Sequence, residues 1–541
     1  MTNLVNEMGK TVREHPTETA VKHRRSGTEQ TYEEFWDEAG RFAAALRDAG
    51  IGTEDRVAVY LPNLPEFVTA FVGVLRNGSV VVPLNPQYKA REIEHILADS
   101  GAKAVVTLPE LVEEVRKVEA ETDVREILSV GGEAEGATEY DTFLSDEPRE
   151  TEPRDDDAVA AQPYTSGTTG DPKGVLLTHR NLSFVAEATP KVHDGIRTDD
   201  KMLGVLPLFH IYGMTVNMLA TLYEGGSYHL MTEWDAGDAL ELIESEGLTI
   251  LHGVPAMYND LVNHPDAEEY TLESVRFANA GGDSLPLDTI RRFEDNFAPE
   301  LVEGYGLTET APTTHANSNE ERRKGSIGKP LPGVESKVVG GEFDEMPHVE
   351  EGPVDFGAGG EEDGHDEEGG YGYDDVVGEI VVSGPNVMKG YHGLPEANEE
   401  AFTEVDGERW FHTGDLGYSD DDNFFYVVDR EKHMIVTGGY NVYPREVEEL
   451  LFEHPDVAEA AVVGVPDERK GETVKAYVVT QPDASVSTDD IRTYCLENLA
   501  EYKHPREVEF VDELPRTASG KVQKFRLRGE EGSDEDDDEE V

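Results

Sequence analysis

Short apolar runs alternate with amphipathic stretches along the first part of the chain. Val57–Leu61 and Val80–Leu84 are apolar throughout and have the length of buried strands. Pro65–Arg76 is predicted as a helix closed by an Asn-Gly pair. Residues 31–34 (Thr-Tyr-Glu-Glu) form a capping-box signature ahead of an amphipathic run to Ala49. Strand and helix therefore alternate, which is typical of doubly wound α/β folds.

This alternation is interrupted twice. Residues from about Glu133 to Asp157 are acidic and turn-rich, which indicates a linker. Residues 341–376 are rich in Gly, Asp and Glu and contain no Lys or Arg, which predicts a mobile, solvated insertion. A calcium loop is the alternative for this insertion, but its acidic residues lack the D-x-[DN]-x-[DN]-G spacing.

The patterns divide the chain into three units. Residues 1–430 are predicted as a large N-terminal domain that contains the insertion 341–376. Residues 431–528 are predicted as a smaller C-terminal domain with both strands and helices. Residues 529–541 are mostly Asp and Glu and are predicted as a disordered tail.

Composition excludes several classes of protein. The formal net charge is -68 and no basic stripe is present, which argues against nucleic-acid binding. The acidic residues are spread over the whole chain, which favours a salt-adapted protein over an acidic protein that attracts basic partners. The single cysteine, Cys495, excludes an internal disulfide and a cysteine-built metal site, and we expect it to be a buried apolar residue.

The sequence shows no membrane or export signal. No apolar run reaches the length of about 18 residues that suggests a spanning helix. The N-terminus has neither a basic region nor an apolar core typical of a secretory signal, so we expect a cytoplasmic protein. Peripheral membrane contact and the choice between monomer and homodimer stay open.

The stretch richest in glycine and hydroxyl residues is Tyr164-Thr165-Ser166-Gly167-Thr168-Thr169-Gly170-Asp171-Pro172-Lys173-Gly174-Val175. Glycine lets the backbone close around a ligand, and backbone N–H groups, hydroxyls and a lysine bind anions. The stretch is not a Walker A loop, because Asp171 and Pro172 separate Gly170 from the lysine. A surface turn is the alternative to a phosphate-binding loop.

This stretch resembles the phosphate loop of the adenylate-forming superfamily, which comprises acyl-CoA synthetases, peptide-synthetase adenylation domains and beetle luciferases. Further stretches that resemble the superfamily follow in its order: Leu206–Gly213, Ala280–Leu285, Glu303–Thr310, His412–Gly417, Val428–Lys432, Thr437–Pro444 and Pro515–Lys524. The resemblance extends from about residue 15 to 528. It is closest to fatty-acyl-CoA synthetases, which the stretches Ser383–Tyr391 and Pro395–Ala397 resemble. Asp283 and Ser284 depart from the superfamily, which usually has Ala and often has Pro there.

The resemblance implies an α/β fold. It comprises a large N-terminal domain of doubly wound mixed sheets plus a β-subdomain, and a small mobile α+β C-terminal domain. The resemblance also implies which residues contact ATP and CoA. The residues so implied are Thr165, Ser166, Gly167, Thr168, Thr169, Gly170, Gly281, Gly282, Asp283, Tyr305, Gly306, Asp415, Arg430, Lys432, Gly438 and Gly439. Among them, Asp415 would accept hydrogen bonds from both ribose hydroxyls, which suits the two oxygens of a carboxylate.

The resemblance also implies the catalytic residues, which are Lys521, Thr308, Glu309, His210 and Lys173. Glu309 and Thr165 would hold Mg²⁺, an ion that prefers one or two carboxylates together with phosphate oxygens. Lys432 would be the hinge between the domains.

The function implied is that of an AMP-forming fatty-acid–CoA ligase for a medium- or long-chain acid, with ATP, Mg²⁺ and CoA. Apolar residues near Phe209–Met214 and His252–Tyr258 are expected to line the acyl pocket. An aryl acid stays open as substrate. The alternatives are an enzyme that loads a separate carrier protein and a catalytically silent nucleotide-binding protein.

Overall fold

The computed structural model describes residues 3–165, 172–354, 373–437, 440–467, 469–481, 484–517 and 521–529. Within them the strands form four sheets. In spatial order, the first sheet comprises Lys329–Pro330, Thr313–Ala316, Leu301–Gly306, Phe277–Ala280, Ile250–Gly253, Lys201–Gly204, Ser227–Leu230, Thr19–His23 and Thr28–Thr31. The second comprises Gly390–Tyr391, Lys173–Thr178, Val159–Ala161, Val80–Pro83, Arg56–Tyr60, Ala104–Thr107, Glu126–Ser129 and Thr138–Glu139, with Tyr164–Thr165 paired to Lys173–Thr178.

Two smaller sheets follow in the chain. The third comprises Glu335–Val339, Gly378–Ser383, Glu408–Ser419 and Phe402–Val405, with Phe425–Arg430 paired to Glu408–Ser419. The fourth belongs to the C-terminal unit and comprises Tyr440–Val442, Ile435–Thr437, Gly471–Thr480 and Val457–Asp467, with Glu507–Phe510 paired to Gly471–Thr480.

Helices connect the strands. The α-helices are Leu4–Glu14, Tyr32–Asp48, Pro65–Arg76, Ala90–Ser100, Val112–Val118, Tyr140–Phe143, His179–Lys191, Ala220–Glu224, Ala236–Glu246, Pro255–Asn263, Leu287–Asn296, Tyr373–Val376, Pro395–Ala401, Pro444–Phe452, Thr488–Asn498 and Lys524–Leu527. Tyr212–Leu219 is a π-helix, and short 3₁₀ turns occur at Pro109–Leu111, Glu119–Glu121, Ala267–Glu269, Thr308–Thr310 and Glu431–His433.

The main core lies between the two large sheets. The helices Tyr32–Asp48 and Pro65–Arg76 fill this space with fully buried phenylalanines such as Phe42. Ala236–Glu246 covers the outer face of the first sheet, and Ala90–Ser100 covers that of the second. Because helices lie on both faces of both sheets, the predicted doubly wound α/β architecture is confirmed.

The predicted capping box is present at the start of Tyr32–Asp48. The Thr31 hydroxyl accepts a hydrogen bond from the Glu34 N–H at 3.3 Å, and the Glu34 carboxylate accepts one from the Thr31 N–H at 2.9 Å. These two bonds satisfy N–H groups that a helix start leaves without intrahelical partners.

Two sequence predictions need correction. The acidic stretch 133–157 is not a free linker, because Tyr140 is fully buried and the Arg149 N–H donates to the Gly40 carbonyl at 3.1 Å. The described ends of the insertion are also packed, since Val349 and Val376 are buried against the third sheet. A few apolar side chains therefore attach these acidic stretches to the fold, which their overall composition did not indicate. Residues 355–372 and 530–541 lie outside the described ranges.

The C-terminal unit has its own small core. The helices Pro444–Phe452 and Thr488–Asn498 pack on its sheet, and Cys495 is fully buried among their apolar side chains. Burial raises the pKa of the Cys495 thiol to about 12. The expectation of a buried cysteine is therefore confirmed.

Candidate active site

The predicted site stretches converge on one cavity of about 810 Å³. It lies at the carboxyl ends of the parallel strands Ile250–Gly253, Phe277–Ala280 and Leu301–Gly306. Loops that leave neighbouring parallel strands meet at this edge, which is where open α/β sheets bind ligands. Lys521 of the C-terminal unit also lines the cavity.

Most of the predicted residues line this cavity. They are Thr165, Lys173, His210, Gly281, Gly282, Tyr305, Gly306, Thr308, Glu309, Arg430, Lys432 and Lys521. An adjoining cavity of about 590 Å³ between the two domains is lined by Asp283 and Asp415. Ser166, Gly167, Thr168, Thr169, Gly170, Gly438 and Gly439 lie outside the described residues.

A buried carboxylate with two fixed donors forms one wall. The Tyr305 hydroxyl donates to Asp415 at 2.5 Å, and the Arg430 Nε lies 3.0 Å from the other Asp415 oxygen. Asp415 and Arg430 face each other across paired antiparallel strands, which fixes their distance. Asp415 raises the pKa of Arg430, so this guanidinium stays charged. The Asp415 side chain is only 3% exposed, so solvent weakens its interactions with Tyr305 and Arg430 very little.

A second acidic group, Glu309, is held by a tyrosine from a distant stretch. The Tyr391 hydroxyl donates to Glu309 Oε1 at 2.9 Å. The ammonium of Lys173 lies 5.1 Å from the centroid of the same tyrosine ring, within the range of a cation–π contact. Tyr391 therefore links the carboxylate expected at Mg²⁺ to the lysine of the stretch that resembles a phosphate loop.

His210 is neutral and presents a donor. Burial and the nearby Lys521 lower the pKa of its imidazole to about 4. Its Nδ1 accepts a hydrogen bond from the Tyr212 N–H at 3.3 Å, so the ring proton resides on Nε2. A neutral N–H donor thus lies in the cavity wall beside the acyl region.

Lys521 is held by a local turn. The Lys521 N–H donates to the Thr517 hydroxyl at 3.1 Å, and the Thr517 N–H donates to the Lys521 carbonyl at 2.8 Å. Burial and Arg430 lower the pKa of the Lys521 ammonium, which Asp283 and Asp415 partly offset. Within the described ranges its ammonium forms no ion pair, so the charge is available to a ligand.

Contacts between the domains hold Lys521 in this position. The Arg445 backbone N–H donates to Asp429 at 3.1 Å, and its guanidinium donates to the Val427 carbonyl at 2.8 Å. Beneath them Glu303 is buried, and burial raises the pKa of its carboxyl to about 7. The interface thus contains a titratable group to which the sequence analysis assigned no role, although Glu303 begins the stretch Glu303–Thr310.

Close backbone approach requires glycine at Gly306 and favours it at Gly281. A Cβ at Gly306 would lie 1.9 Å from the Pro312 carbonyl oxygen, and one at Gly281 would lie 3.2 Å from the Gly304 carbonyl oxygen. The backbone beside Tyr305 therefore folds more tightly than any larger residue allows.

The sequence reasoning missed two positioning groups. Tyr391 was noted only as part of a resembling stretch, and nothing local pairs it with Glu309, which precedes it by 82 residues. His412 is the second: its Nδ1 lies 2.7 Å from Glu379, which also accepts from the Gly414 N–H at 2.9 Å. This network shapes the turn ahead of Asp415.

Comparison with known proteins agrees with this geometry. AMP-binding enzymes match residues 9–360, and the C-terminal domain of AMP-binding enzymes matches residues 446–521. The chain is an AMP-binding enzyme. This result confirms the resemblance to the adenylate-forming superfamily.

Relatives of this AMP-binding enzyme cover nearly its full length. Long-chain-fatty-acid–CoA ligase of Bacillus subtilis (strain 168) is 36% identical over 547 residues, covering 95% of this chain and 92% of the relative. Feruloyl-CoA synthase of Amycolatopsis sp is 38% identical over 515 residues, covering 95% and 96%. The crystal structure of an anthranilate CoA ligase with anthranoyl-AMP superposes with a TM-score of 0.87 at 26% identity, covering 98% and 97%.

These matches confirm the predicted enzyme class, an AMP-forming acid–CoA ligase with ATP and CoA as substrates, and leave the acid open. In the described part of the chain, no helix is long and apolar enough to cross a membrane. Nor do the described residues contain a group of three or more His, Cys, Asp or Glu suited to a metal. Because Mg²⁺ uses few carboxylates, the prediction that Glu309 holds this ion does not require such a group.

Proposed function

We propose that this AMP-binding enzyme converts a carboxylic acid to its CoA thioester in two steps. The carboxylate oxygen attacks the α-phosphorus of ATP, the bond to the bridging oxygen breaks, and acyl-adenylate and pyrophosphate form. The CoA thiol then attacks the acyl carbonyl carbon, its proton passes to solvent, and AMP leaves with the oxygen of the broken bond.

One observation carries the proposal. Lys521 of the C-terminal unit lies in the same cavity as Glu309, Tyr305 and Arg430 of the N-terminal unit, and it also lines the adjoining cavity that contains Asp415, the partner of Tyr305 and Arg430. A nucleotide whose ribose meets Asp415 and whose phosphates extend towards Glu309 would place its α-phosphate within reach of the Lys521 ammonium, which no described carboxylate pairs with. The arrangement suits the adenylation step.

Fixed donors would stabilise the charge that develops on the α-phosphate. Thr308 and Lys521 would donate to its oxygens, while Lys173 would meet the departing pyrophosphate. His210 Nε2–H would orient the attacking carboxylate, because a neutral ring can donate without neutralising the nucleophile.

Glu309 and Thr165 are the residues that would hold Mg²⁺ together with phosphate oxygens. When bound, the ion would neutralise negative charge on the phosphates. Tyr391 keeps the Glu309 carboxylate oriented for this contact.

The thioester step requires Lys521 to leave. We infer that the C-terminal unit rotates about Lys432, which breaks the Arg445–Asp429 contact and brings the loop with Gly438 and Gly439 to the cavity. This loop would border the CoA thiol.

For the acid, we propose a medium- or long-chain fatty acid. Leu206, Phe209, Ile211 and Val216 line the cavity beside His210 and supply an apolar surface. The relative from Bacillus subtilis named for long-chain fatty acids supports this class of acid. The feruloyl-CoA synthase of Amycolatopsis sp supports an aryl acid as the alternative substrate.

Two rivals make different predictions. A carrier-loading enzyme would form acyl-adenylate and not pass it to CoA. A silent nucleotide-binding protein would bind ATP and release no pyrophosphate with any acid.

The test separates the half-reactions. Lys521→Ala should reduce adenylate formation by at least 100-fold, on the order of the loss of one transition-state donor, and largely spare thioester formation from supplied acyl-adenylate. Lys470→Ala, an exposed lysine of the same domain, is the matched control. An equal loss of both half-reactions would count against the assignment of Lys521 to adenylation.

A further inference from the structure

The apolar part of the cavity ends on polar rings. Thr189, His193, Val216 and His252 line the 810 Å³ cavity and also a small extension of about 20 Å³ behind it. Such an extension has room for about one water molecule. These four residues therefore form the far end of the acyl region.

The two imidazoles at this end flank one phenylalanine. The His193 ring lies 3.5 Å from the Phe277 ring between centroids, and the His252 ring meets the same phenylalanine edge-on at 5.4 Å. Burial lowers the pKa of His193 to about 2 and that of His252 to about 3. Both rings are thus neutral near pH 7.

His252 has a donor to spare. Asn279 donates to the Tyr212 hydroxyl at 2.7 Å, and this hydroxyl lies 3.3 Å from His252 Nδ1. A hydroxyl that accepts from Asn279 donates to Nδ1, so the His252 proton resides on Nε2. Within the described residues nothing accepts from Nε2.

His193 has hydrogen-bonding capacity that the fold leaves unused. No described residue hydrogen-bonds either ring nitrogen, and Nδ1 is buried without a partner. The Thr189 hydroxyl, one helical turn earlier, is likewise buried without a partner. The other ring nitrogen of His193, Nε2, is not among these closed-off atoms and has no described partner, so a purely hydrocarbon ligand would leave it unpaired at the end of the cavity.

Among the residues that the structure describes, none at this end of the region offers an unpaired positive charge. Arg276 lies behind it, but its guanidinium is paired with Asp200 and donates to the carbonyls of His193 and Gly195 at 3.1 and 2.6 Å. A second carboxylate on the substrate would therefore be buried without a counter-charge. The site suits a neutral polar group.

We propose that the acid activated by this enzyme carries a hydroxyl group at the end remote from its carboxylate, and that His193 and His252 bind that hydroxyl. The substrate class is a monocarboxylic acid of limited length, apolar in its middle and hydroxylated at its end. The proposal rests on the proposed CoA-ligase function and narrows its acid.

Matched acids test the proposal. AMP release with ATP, Mg²⁺ and CoA is measured for 8-hydroxyoctanoate against nonanoate, and for 4-hydroxycinnamate against cinnamate, with octanedioate as the charged comparison. We expect the hydroxylated member of at least one pair to have a kcat/KM about tenfold higher or more, because its loss leaves buried groups unpaired. Octanedioate should be the poorest of the acids of its length.

Variants then assign the preference to the rings. His193→Leu should abolish the preference for the hydroxylated acid, and His193→Gln, which keeps hydrogen-bonding atoms, should restore part of it. His264→Leu, outside both cavities, is the control. Because the readout is a ratio between paired acids in one preparation, partial misfolding does not mimic the result.

The outcomes are distinguishable. Acyl-CoA formation with equal or higher efficiency for nonanoate and cinnamate would overturn the hydroxyl proposal and leave the ligase function standing. A hydroxyl preference that survives in His193→Leu would overturn the assignment to His193. An absence of AMP release with every acid would overturn the proposed function, and this inference with it.

Discussion

Tyr391→Phe isolates a single contact in the candidate site. It removes the hydroxyl that donates to Glu309 Oε1 at 2.9 Å and keeps the ring over which Lys173 lies at 5.1 Å. The substitution therefore leaves the cation–π contact and the packing of the strand Gly390–Tyr391 in place, because both depend on the ring and the backbone.

The expected loss follows from the charge of the acceptor. Hydrogen bonds to charged groups contribute about 1.5–3 kcal/mol, and the Glu309 carboxylate is partly buried. A loss of about 1.5 kcal/mol in transition-state stabilisation corresponds to about a tenfold decrease in the rate of adenylate formation. The lower figure applies because solvent in the cavity can replace part of the bond.

The assay is acid-dependent exchange of pyrophosphate into ATP, followed over a range of Mg²⁺ concentrations. We expect kcat for adenylation to fall about tenfold and the Mg²⁺ requirement to rise, since a freely rotating carboxylate binds the ion less well. Tyr270→Phe, whose hydroxyl has no described partner and lies outside the cavity, is the matched control.

Two results would refute this reasoning. An adenylation rate within twofold of the original at every Mg²⁺ concentration would show that Tyr391 does not orient Glu309. An equal loss in Tyr270→Phe would show that the effect is one of general stability.

Three further predictions concern charge. Asp415→Asn should weaken ATP binding at least tenfold in calorimetry, because it leaves Arg430 without its buried counter-ion, and unchanged affinity would contradict the ribose assignment. The Glu303 carboxyl has a pKa of about 7 in the folded protein and of 4.5 when the chain is unfolded. Between these two pH values only the folded state keeps the proton, so the free energy of unfolding should fall by up to about 3 kcal/mol as the pH rises from 4.5 to 7. In Glu303→Gln, the stability measured by thermal unfolding between pH 5 and 8 should lack this part of the decrease. The same pH dependence in the variant and in the original protein would contradict the prediction. Finally, the net charge of -68 predicts that the midpoint of thermal unfolding rises as KCl is increased into the molar range, whereas a flat response would argue against salt adaptation.

Individual helices and their caps could be predicted from the sequence because they depend on residues that are neighbours along the chain. The helix Pro65–Arg76 has the predicted ends, and the capping box at Thr31 forms as its residue types indicate. Composition was a weaker guide: the acidic stretch 133–157 is docked by Tyr140, since one buried aromatic side chain outweighs many solvated acids.

The sequence by itself determined the fold class and the enzyme family, and it predicted roles for residues of contiguous stretches such as Glu309, Asp415 and Lys521. Tertiary structure alone decided which distant side chains meet them. Tyr391 reaches Glu309 from another sheet edge, and His193 and His252 face the same end of the cavity from a helix end and a strand. Such contacts depend on how strands and helices stack, and no local pattern encodes pairings between residues so far apart in the chain.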